Sequence, residues 1–219
     1  MDGNKLTVTE DGSHTLYSPE VGEHYHSTFG AIQESEHIFI RAGLNPFIGQ
    51  QEIVNIFEMG FGTGLNALLT CLRAEKAGQK INYYGLEASP ISMKTAKTLN
   101  YHELLNTDQN LFLRFHQPDN SIQISDRFFL EKKTNTMEQV ILPDDHFDIV
   151  YFDAFSPEAQ PELWTPEIFE KIFRAMKTGG ILTTYSCKGI VKRAMKAAGF
   201  KLEKLPGPPG KREFLRATK

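Results

Sequence analysis

Buried strands and helices write different apolar periods into a chain, and this one alternates between the two. Ile53, Val54, Ile56 and Phe57 form the apolar, partly β-branched run of a buried strand. Leu65, Leu68, Leu69 and Leu72 then recur at helical spacing, with Gly78 as a stop. Ile81 to Leu86 reads as a second strand, ending at Glu87. A helix is expected from Pro90 to Leu99, continuing in pieces to Leu113. Ser121 to Lys133 alternates and predicts a hairpin turning near Asp126 and Arg127, its second arm serving as a third main strand. His146 to Asp153 is nearly continuous apolar, as a central parallel strand is. Thr165 caps a helix opened by Pro166, and Gly179-Gly180 is its expected end. Ile181 to Tyr185 predicts a fifth strand. Gly189 to Gly199 predicts an amphipathic helix with Ile190, Ala194 and Ala197 inside. Two final strands, Phe200 to Leu205 and Glu213 to Ala217, are expected to pair antiparallel across Pro206 to Arg212.

Residues 1–24 are polar and turn-rich, with a short strand expected near Lys5 to Thr9, outside the main sheet. The second half of His24 to Ile40 reads as a helix, because Ala31, Glu34, Ser35 and Ile38 share a face. Asn45-Pro46 breaks the chain, so residues 1–45 read as an N-terminal extension packed on a main domain of residues 46–219. Strands alternating with helices predict an α/β fold with a mostly parallel sheet.

The stretch Asn55 to Asn66, NIFEMGFGTGLN, carries the most chemical information. Gly60, Gly62 and Gly64 sit between a strand and a helix, where glycine permits positive φ and close approach of a ligand. The helix start offers unpaired N–H groups. The pattern is GxGxG rather than the GxGxxG dinucleotide fingerprint, and Asn66 stands where a third, spaced glycine could have been. A tight turn that merely packs a helix on a sheet has the same spacing. Glu87 lies 23 positions after Gly64, the distance of an acidic residue that takes ribose hydroxyls, although a charge at a helix start fits it too. Asp153, opening Asp-Ala-Phe-Ser-Pro at a carboxyl strand end, falls in the expected ligand crevice, or else caps the following helix.

At 219 residues, 40% hydrophobic and 11% aromatic, the chain suffices for one domain with a sizeable core. It contains no apolar run near the ~18 residues of a membrane span. Met1 to Asn4 lacks the basic and apolar regions of a secretion signal. Cys71 and Cys187 are therefore expected as free thiols in a cytoplasmic protein. His24, His26 and His37 have no second cluster to complete a metal site, so no metal is expected. The net charge of −3 hides an asymmetry: from Lys188 onward ten Lys and Arg oppose Glu203 and Glu213, leaving +8 there and −11 elsewhere. A basic end on an acidic body suggests a polyanionic partner, against the plain alternative of a solvated helix face.

Glu58 to Asn66, Tyr151 to Trp164 and Gly207 to Ala217 together resemble the methyltransferase half of the bacterial tRNA wobble-uridine enzyme family MnmC, and even more its stand-alone MnmD relatives. HYHSTFGAIQESEHIFI, from His24 to Ile40, is similar to the family's N-terminal signature, so the resemblance runs from about Tyr25 to Ala217. It implies a Rossmann-like class I fold with a mostly parallel seven-stranded sheet and an antiparallel final hairpin. It implies S-adenosyl-L-methionine (SAM) as cofactor and the anticodon loop of tRNA as partner. The implied reaction methylates the exocyclic amine of 5-aminomethyl-(2-thio)uridine at position 34. No FAD-dependent half stands in this sequence, so a separate enzyme is expected to supply the aminomethyl group. Gly60, Gly62, Thr63 and Gly64 would line the cofactor, with Glu58 and Asn66 as polar contacts, Glu87 on the ribose, and Thr134 or Asn135 near the adenine. Asp153 would orient the amine, Phe155 stack on the uracil and Pro157 wall the pocket. Tyr25, Ser27, Lys188, Lys211 and Arg212 would meet the RNA. Two other readings stay open: a small-molecule amine methyl- or aminopropyltransferase of the same fold, and a non-catalytic module that holds SAM or RNA.

Overall fold

The computed structural model describes residues 3–118 and 120–219. The chain opens with a small antiparallel sheet of β1 (Lys5–Val8), β2 (His14–Ser18) and β3 (Glu23–His24). Helix α1 (Ala31–Ser35) widens into π-helical turns over Glu36–Leu44, which bury Ile38, Phe39 and Ile40. Then come β4 (Ile53–Met59), α2 (Leu65–Ala77) and β5 (Lys80–Leu86). Three short helices follow, α3 (Met93–Ala96), α4 (Tyr101–Leu104) and α5 (Gln109–Arg114). The remainder is β6 (Ser121–Ser125), β7 (Phe128–Lys133), β8 (Phe147–Phe152), α6 (Pro166–Ala175), β9 (Met176–Thr184), α7 (Gly189–Ala197), β10 (Lys201–Pro206) and β11 (Glu213–Thr218).

The main sheet has the order β10-β11-β9-β8-β4-β5-β7-β6. Pairings β7-β5-β4-β8-β9 are parallel, while β6 and β11 run against their neighbours. Because β11 is antiparallel to both β9 and β10, β10 points the same way as the parallel strands. These are the seven expected strands with the final antiparallel insertion; the eighth, β6, is the first arm of the expected hairpin. All six residues of β8 are buried, since both its faces are covered. Ile149 and Tyr151 pack toward α2 and the π-helical turns, and Val150 and Phe152 toward α6 and α7. Burial of each such side chain stabilises by about 1.5–3 kcal/mol. Among the described residues no helix is long and apolar enough to cross a membrane.

Three predicted boundaries move. The helix expected from Pro90 shrinks to α3, because Ser92 Oγ accepts the Thr95 N–H and so sets the start. Helix α6 ends at Ala175 rather than at the glycine pair. The chain turns extended at Met176, and residues 177–180 form an irregularity in the β8–β9 register, where Gly179 adopts φ 81° and Lys177 pairs with Asp148 at 2.8 Å. On α7 the inner face is Val191, Ala194, Met195 and Ala198, while Ile190 and Ala197 are exposed. That i, i+3, i+4, i+7 stripe carries Val191 and Met195, and so buries more apolar surface than a stripe through Ile190.

Candidate active site

The carboxyl ends of β4, β5 and β8 open onto a cavity of about 930 Å³. Its floor is the Gly60–Gly64 loop. Gly60, Gly62 and Gly64 have φ of 87°, 51° and 73°, a region that disfavours side chains. A Cβ on Gly60 would stand 2.5 Å from the Asp153 carbonyl oxygen, and one on Gly62 3.1 Å from the Tyr25 ring. The loop is pinned from several sides. Gly60 and Phe61 N–H groups donate to the Leu86 carbonyl at 3.0 and 3.1 Å. Gly62 N–H donates to Glu87 Oε2 at 2.8 Å, and Ser89 N–H to Glu87 Oε1 at 2.9 Å. Tyr101 donates its hydroxyl to Thr63 Oγ1 at 3.2 Å, His26 Nε2 lies 3.5 Å from the same oxygen, and His116 Nε2 donates to the Thr63 carbonyl at 3.1 Å. Burial, reinforced by Lys211 near His26 and Lys132 near His116, pushes both imidazoles down to about 4. They stand neutral as struts.

Above the loop lies a carboxyl cluster. Asn66, in the first turn of α2, uses both protons of its Nδ2: one goes to Glu58 Oε1 at 2.9 Å, the other to Asp153 Oδ2 at 2.8 Å. Glu58 is fully buried on β4, and that burial holds its carboxyl well above the usual range. Asp153, just past β8, is pushed up to about 7, first by burial and then by the Glu34 carboxylate; Asn66 and Lys211 pull the other way. A carboxyl poised there exchanges a proton readily at neutral pH.

The far wall comes from both ends of the chain. Lys211, between β10 and β11, pairs its Nζ with Glu34 of α1 and holds it 4.6 Å above the centre of the Tyr185 ring. Tyr185 donates its hydroxyl to the Ala154 carbonyl at 3.0 Å. Phe155 meets Tyr25 edge to face at 5.0 Å. Ser156 donates its N–H to Glu23 Oε2 at 3.0 Å and its hydroxyl to Glu23 Oε1, so the N-terminal sheet is tied down over the Asp153 loop.

The cavity thus gathers Tyr25, Ser27, Gly60, Gly62, Thr63, Asn66, Glu87, Asp153 and Phe155 in its lining. Glu58 stands beneath them, and Gly64 faces His116 rather than the cavity. Asn135 lines the main cavity, and Thr134 an adjoining one of about 260 Å³. Besides Glu58 and Gly64, which do not line the cavity, three residues depart from expectation. Pro157 is buried behind the loop and does not wall the cavity, because the tie between Ser156 and Glu23 turns it inward. Lys211 is half-buried in the cavity rather than exposed beside Arg212. Lys188 is exposed but engaged by Glu158. Sequence reasoning missed Glu34, Tyr185, Glu23, His26, Tyr101 and His116. Two left a trace: Glu34, as a carboxylate on the inner face of a helix, and His26, as one of three histidines weighed for a metal. Among the described residues no group of three or more His, Cys, Asp or Glu is gathered to hold a metal.

The arrangement suits a nucleotide-like ligand with an amino-acid end. The loop leaves no room for side chains where a backbone must approach. Glu87 keeps lone pairs beyond its two N–H bonds, enough for hydroxyls. Asn66 Oδ1 is buried with no hydrogen-bond partner among the described residues and can accept from an ammonium.

Comparison with known proteins agrees. Residues 100–219 match a family described as S-adenosyl-L-methionine-dependent methyltransferase. The chain is 31% identical over 228 residues to the tRNA 5-methylaminomethyl-2-thiouridine biosynthesis bifunctional protein MnmC of Aromatoleum aromaticum, covering 99% of this chain and 35% of that protein. With the protein of the same name from Cupriavidus metallidurans the identity is 29%, over 94% of this chain and 32% of the relative. The chain spans about a third of the length of these curated relatives. Among solved structures, MNMC2 from Aquifex aeolicus superposes with a TM-score of 0.80 at 24% identity, covering 100% of this chain and 71% of that one. Spermidine synthase from Thermotoga maritima superposes at 0.54 with 15% identity, covering 98% and 70%. Both are likenesses of fold. Glycine loop, acidic strand ends and family match converge: the chain belongs to the S-adenosyl-L-methionine-dependent methyltransferases.

Proposed function

We propose that the chain methylates the exocyclic amine of 5-aminomethyl-(2-thio)uridine at position 34 of tRNA, giving the 5-methylaminomethyl nucleoside. The observation that carries the reading is Asp153, a proton acceptor poised near 7 on the wall of the cavity floored by the glycine loop. The substrate class is supported by the relatives' printed names, which place them in 5-methylaminomethyl-2-thiouridine biosynthesis.

When bound, SAM supplies an electrophilic methyl group. The Gly60–Gly62 backbone and Thr63 would line the cofactor, Glu87 would take its ribose hydroxyls, and Asn66 with Glu58 behind it would receive its amino-acid end. Thr134 or Asn135 would meet the adenine. An amine attacks only in its neutral form. Asp153 would accept a hydrogen bond from the amine N–H, aim the lone pair at the methyl carbon as its bond to the sulfonium sulfur breaks and the electron pair returns to sulfur, and take the proton from the methylated nitrogen. Most of the acceleration is positional, since two reactants are held in line. Phe155 and Tyr25 give the uracil an aromatic surface, as splayed RNA bases require. Outside the cavity, Arg193, Lys196, Lys201 and Arg212 are exposed and form no ion pair among the described residues. With Ser27 and Lys188 at the rim, they are the footing for phosphates, which position RNA without reading it.

The test is incubation with SAM and tRNA bearing aminomethyl uridine, then mass analysis of the nucleosides. One methyl added at position 34 is the expected result. Transfer to a free polyamine and none to tRNA would move the chain to small-molecule chemistry. Binding of both ligands without turnover would make it a non-catalytic module.

A further inference from the structure

Lys211 is an anomaly in this cavity. A site for an amine needs acceptors, and Glu34, Asp153 and the face of Tyr185 form a cage of the kind that receives an alkylammonium. The chain fills that cage with its own cation. Lys211 Nζ pairs with Glu34, whose side chain is 9% exposed, and lies 4.6 Å above the Tyr185 ring. Glu34 is itself fixed from behind, since Oε1 accepts the Ser27 N–H at 3.3 Å. Lys211 N–H donates to the Pro208 carbonyl at 2.9 Å, so its loop is folded toward the cavity.

We infer that Lys211, held by Glu34 against Tyr185, is a resident ammonium that positions the cavity for a neutral amine and disfavours a protonated one. The inference rests on the proposed reaction and names the form of substrate that the site accepts. A carboxylate beside an amine has a drawback: it stabilises the ammonium, which cannot attack. A fixed cation beside that carboxylate offsets the effect, because a second positive charge is repelled. The same cation satisfies the negative groups that would otherwise draw in polyamines, the ligands of the aminopropyltransferases that share this fold.

Lys211 and Glu34 act on Asp153 with opposite sign. Lys211 favours its ionised form and Glu34 its protonated form. Other ionisable groups face the same cluster: Glu58 on β4 beyond Asn66, Tyr83 on β5, Tyr185 after β9, and His26 near Lys211. Of these, His26 also feels Lys211 and Tyr185 also feels Glu34, so the Asp153 carboxyl is followed directly rather than through a summed titration. Lys211→Met keeps the length of the side chain and removes the charge, so it should move Asp153 ionisation to higher pH. Glu34→Gln should move it to lower pH. Lys211→Arg should leave it near the wild-type position.

The experiment is a carbon-detected NMR titration of the Asp153 carboxyl in the ligand-free protein and the three variants, with the acidic limb of kcat/KM for tRNA methylation measured beside it. Expected shifts are roughly one pH unit, upward for Lys211→Met and downward for Glu34→Gln, as for a charge a few ångströms away. The acidic limb should follow in the same directions. A merely structural ion pair would lower activity in both variants and move neither limb. Asp153 titrating alike in folded wild type and Lys211→Met, or shifting the same way in both single variants, overturns the inference even if tRNA is methylated. If the titrations move as stated and wild type methylates no tRNA, the substrate reading falls and the charge arrangement stands.

Discussion

Two loops face each other across the cavity. Gly60–Gly64 is fixed from beneath by groups of the surrounding core: Glu87, Tyr101, His26 and His116 each hold part of it. Residues 207–212 are fixed from the cavity side, through Lys211 to Glu34, with His37 Nε2 donating to the Pro206 carbonyl at 2.7 Å. Both loops attract attention in the sequence, but for different reasons. A glycine pattern reports backbone geometry, which is local. A charge reports nothing about direction until its partner is known. Five of the ten cations from Lys188 onward are engaged by carboxylates, so the count of +8 overstates what is open to a polyanion.

The sharpest way to separate the loops is to damage the glycine one. Gly62→Val places a branched side chain at φ 51° against Tyr25, and calorimetry should show SAM binding lost while tRNA affinity persists. Retained SAM affinity would break the assignment of that loop. Asp153→Asn should cut turnover by about 10²–10⁴ with SAM affinity little changed, as expected of a group that acts on the moving proton. Single-turnover methylation at wild-type rate would remove Asp153 from the chemistry. Glu87→Ala should weaken SAM by about 1.5–3 kcal/mol, the worth of hydrogen bonds to a charged group, and free Gly62 as well; an unchanged titration curve would contradict it.

The struts have a pH signature. His116 is held neutral in the fold but charges near 6.5 in the unfolded chain, so its burial costs stability as pH falls from about 6.5 toward 4. His116→Gln keeps a donor for Thr63 and cannot charge. Denaturant melts should show that the variant loses about 2 kcal/mol less than wild type between pH 7 and pH 5. Equal losses would mean that the ring already has access to water. The smallest effect belongs to the outer surface. Arg193→Ala/Arg212→Ala should flatten the slope of log tRNA affinity against log salt by about 0.7 per contact, with SAM affinity unchanged. A slope identical to wild type would locate the RNA elsewhere, and the Tyr25–Ser27 rim is then the next surface to vary.

Much of the fold was legible because its signals are short-range. The β-branched run before Gly60, the leucine period of α2 and the Thr165-Pro166 start each depend on a few consecutive residues. The site was legible where it sits at strand ends, as with Glu87 and Asp153. It was not legible where chain-distant groups converge. Nothing near Glu34 indicates that Lys211, 177 positions on, will meet it. His26 was weighed only as a metal ligand and His116 not at all, because burial decides their charge and burial is a property of the whole fold. Ile190 was assigned to the core for a related reason: one apolar stripe on α7 competes with another, and only the packed sheet chooses.

The position of β11 has a consequence for assembly. It follows β10 in the chain yet lies between β9 and β10. Until residues 213–218 have been synthesised and threaded into that gap, β10 has no neighbour to bond and the edge of β9 stays bare. A bare parallel edge is a template for the wrong partner. The cation that sits opposite Asp153 can be seated only after this insertion, because its loop joins the two strands concerned. Newly made chains would therefore pass through a stage with glycine loop, acids and struts in place and the Asp153 carboxyl not yet balanced. The balance at Asp153 would then arrive together with closure of the β9 edge.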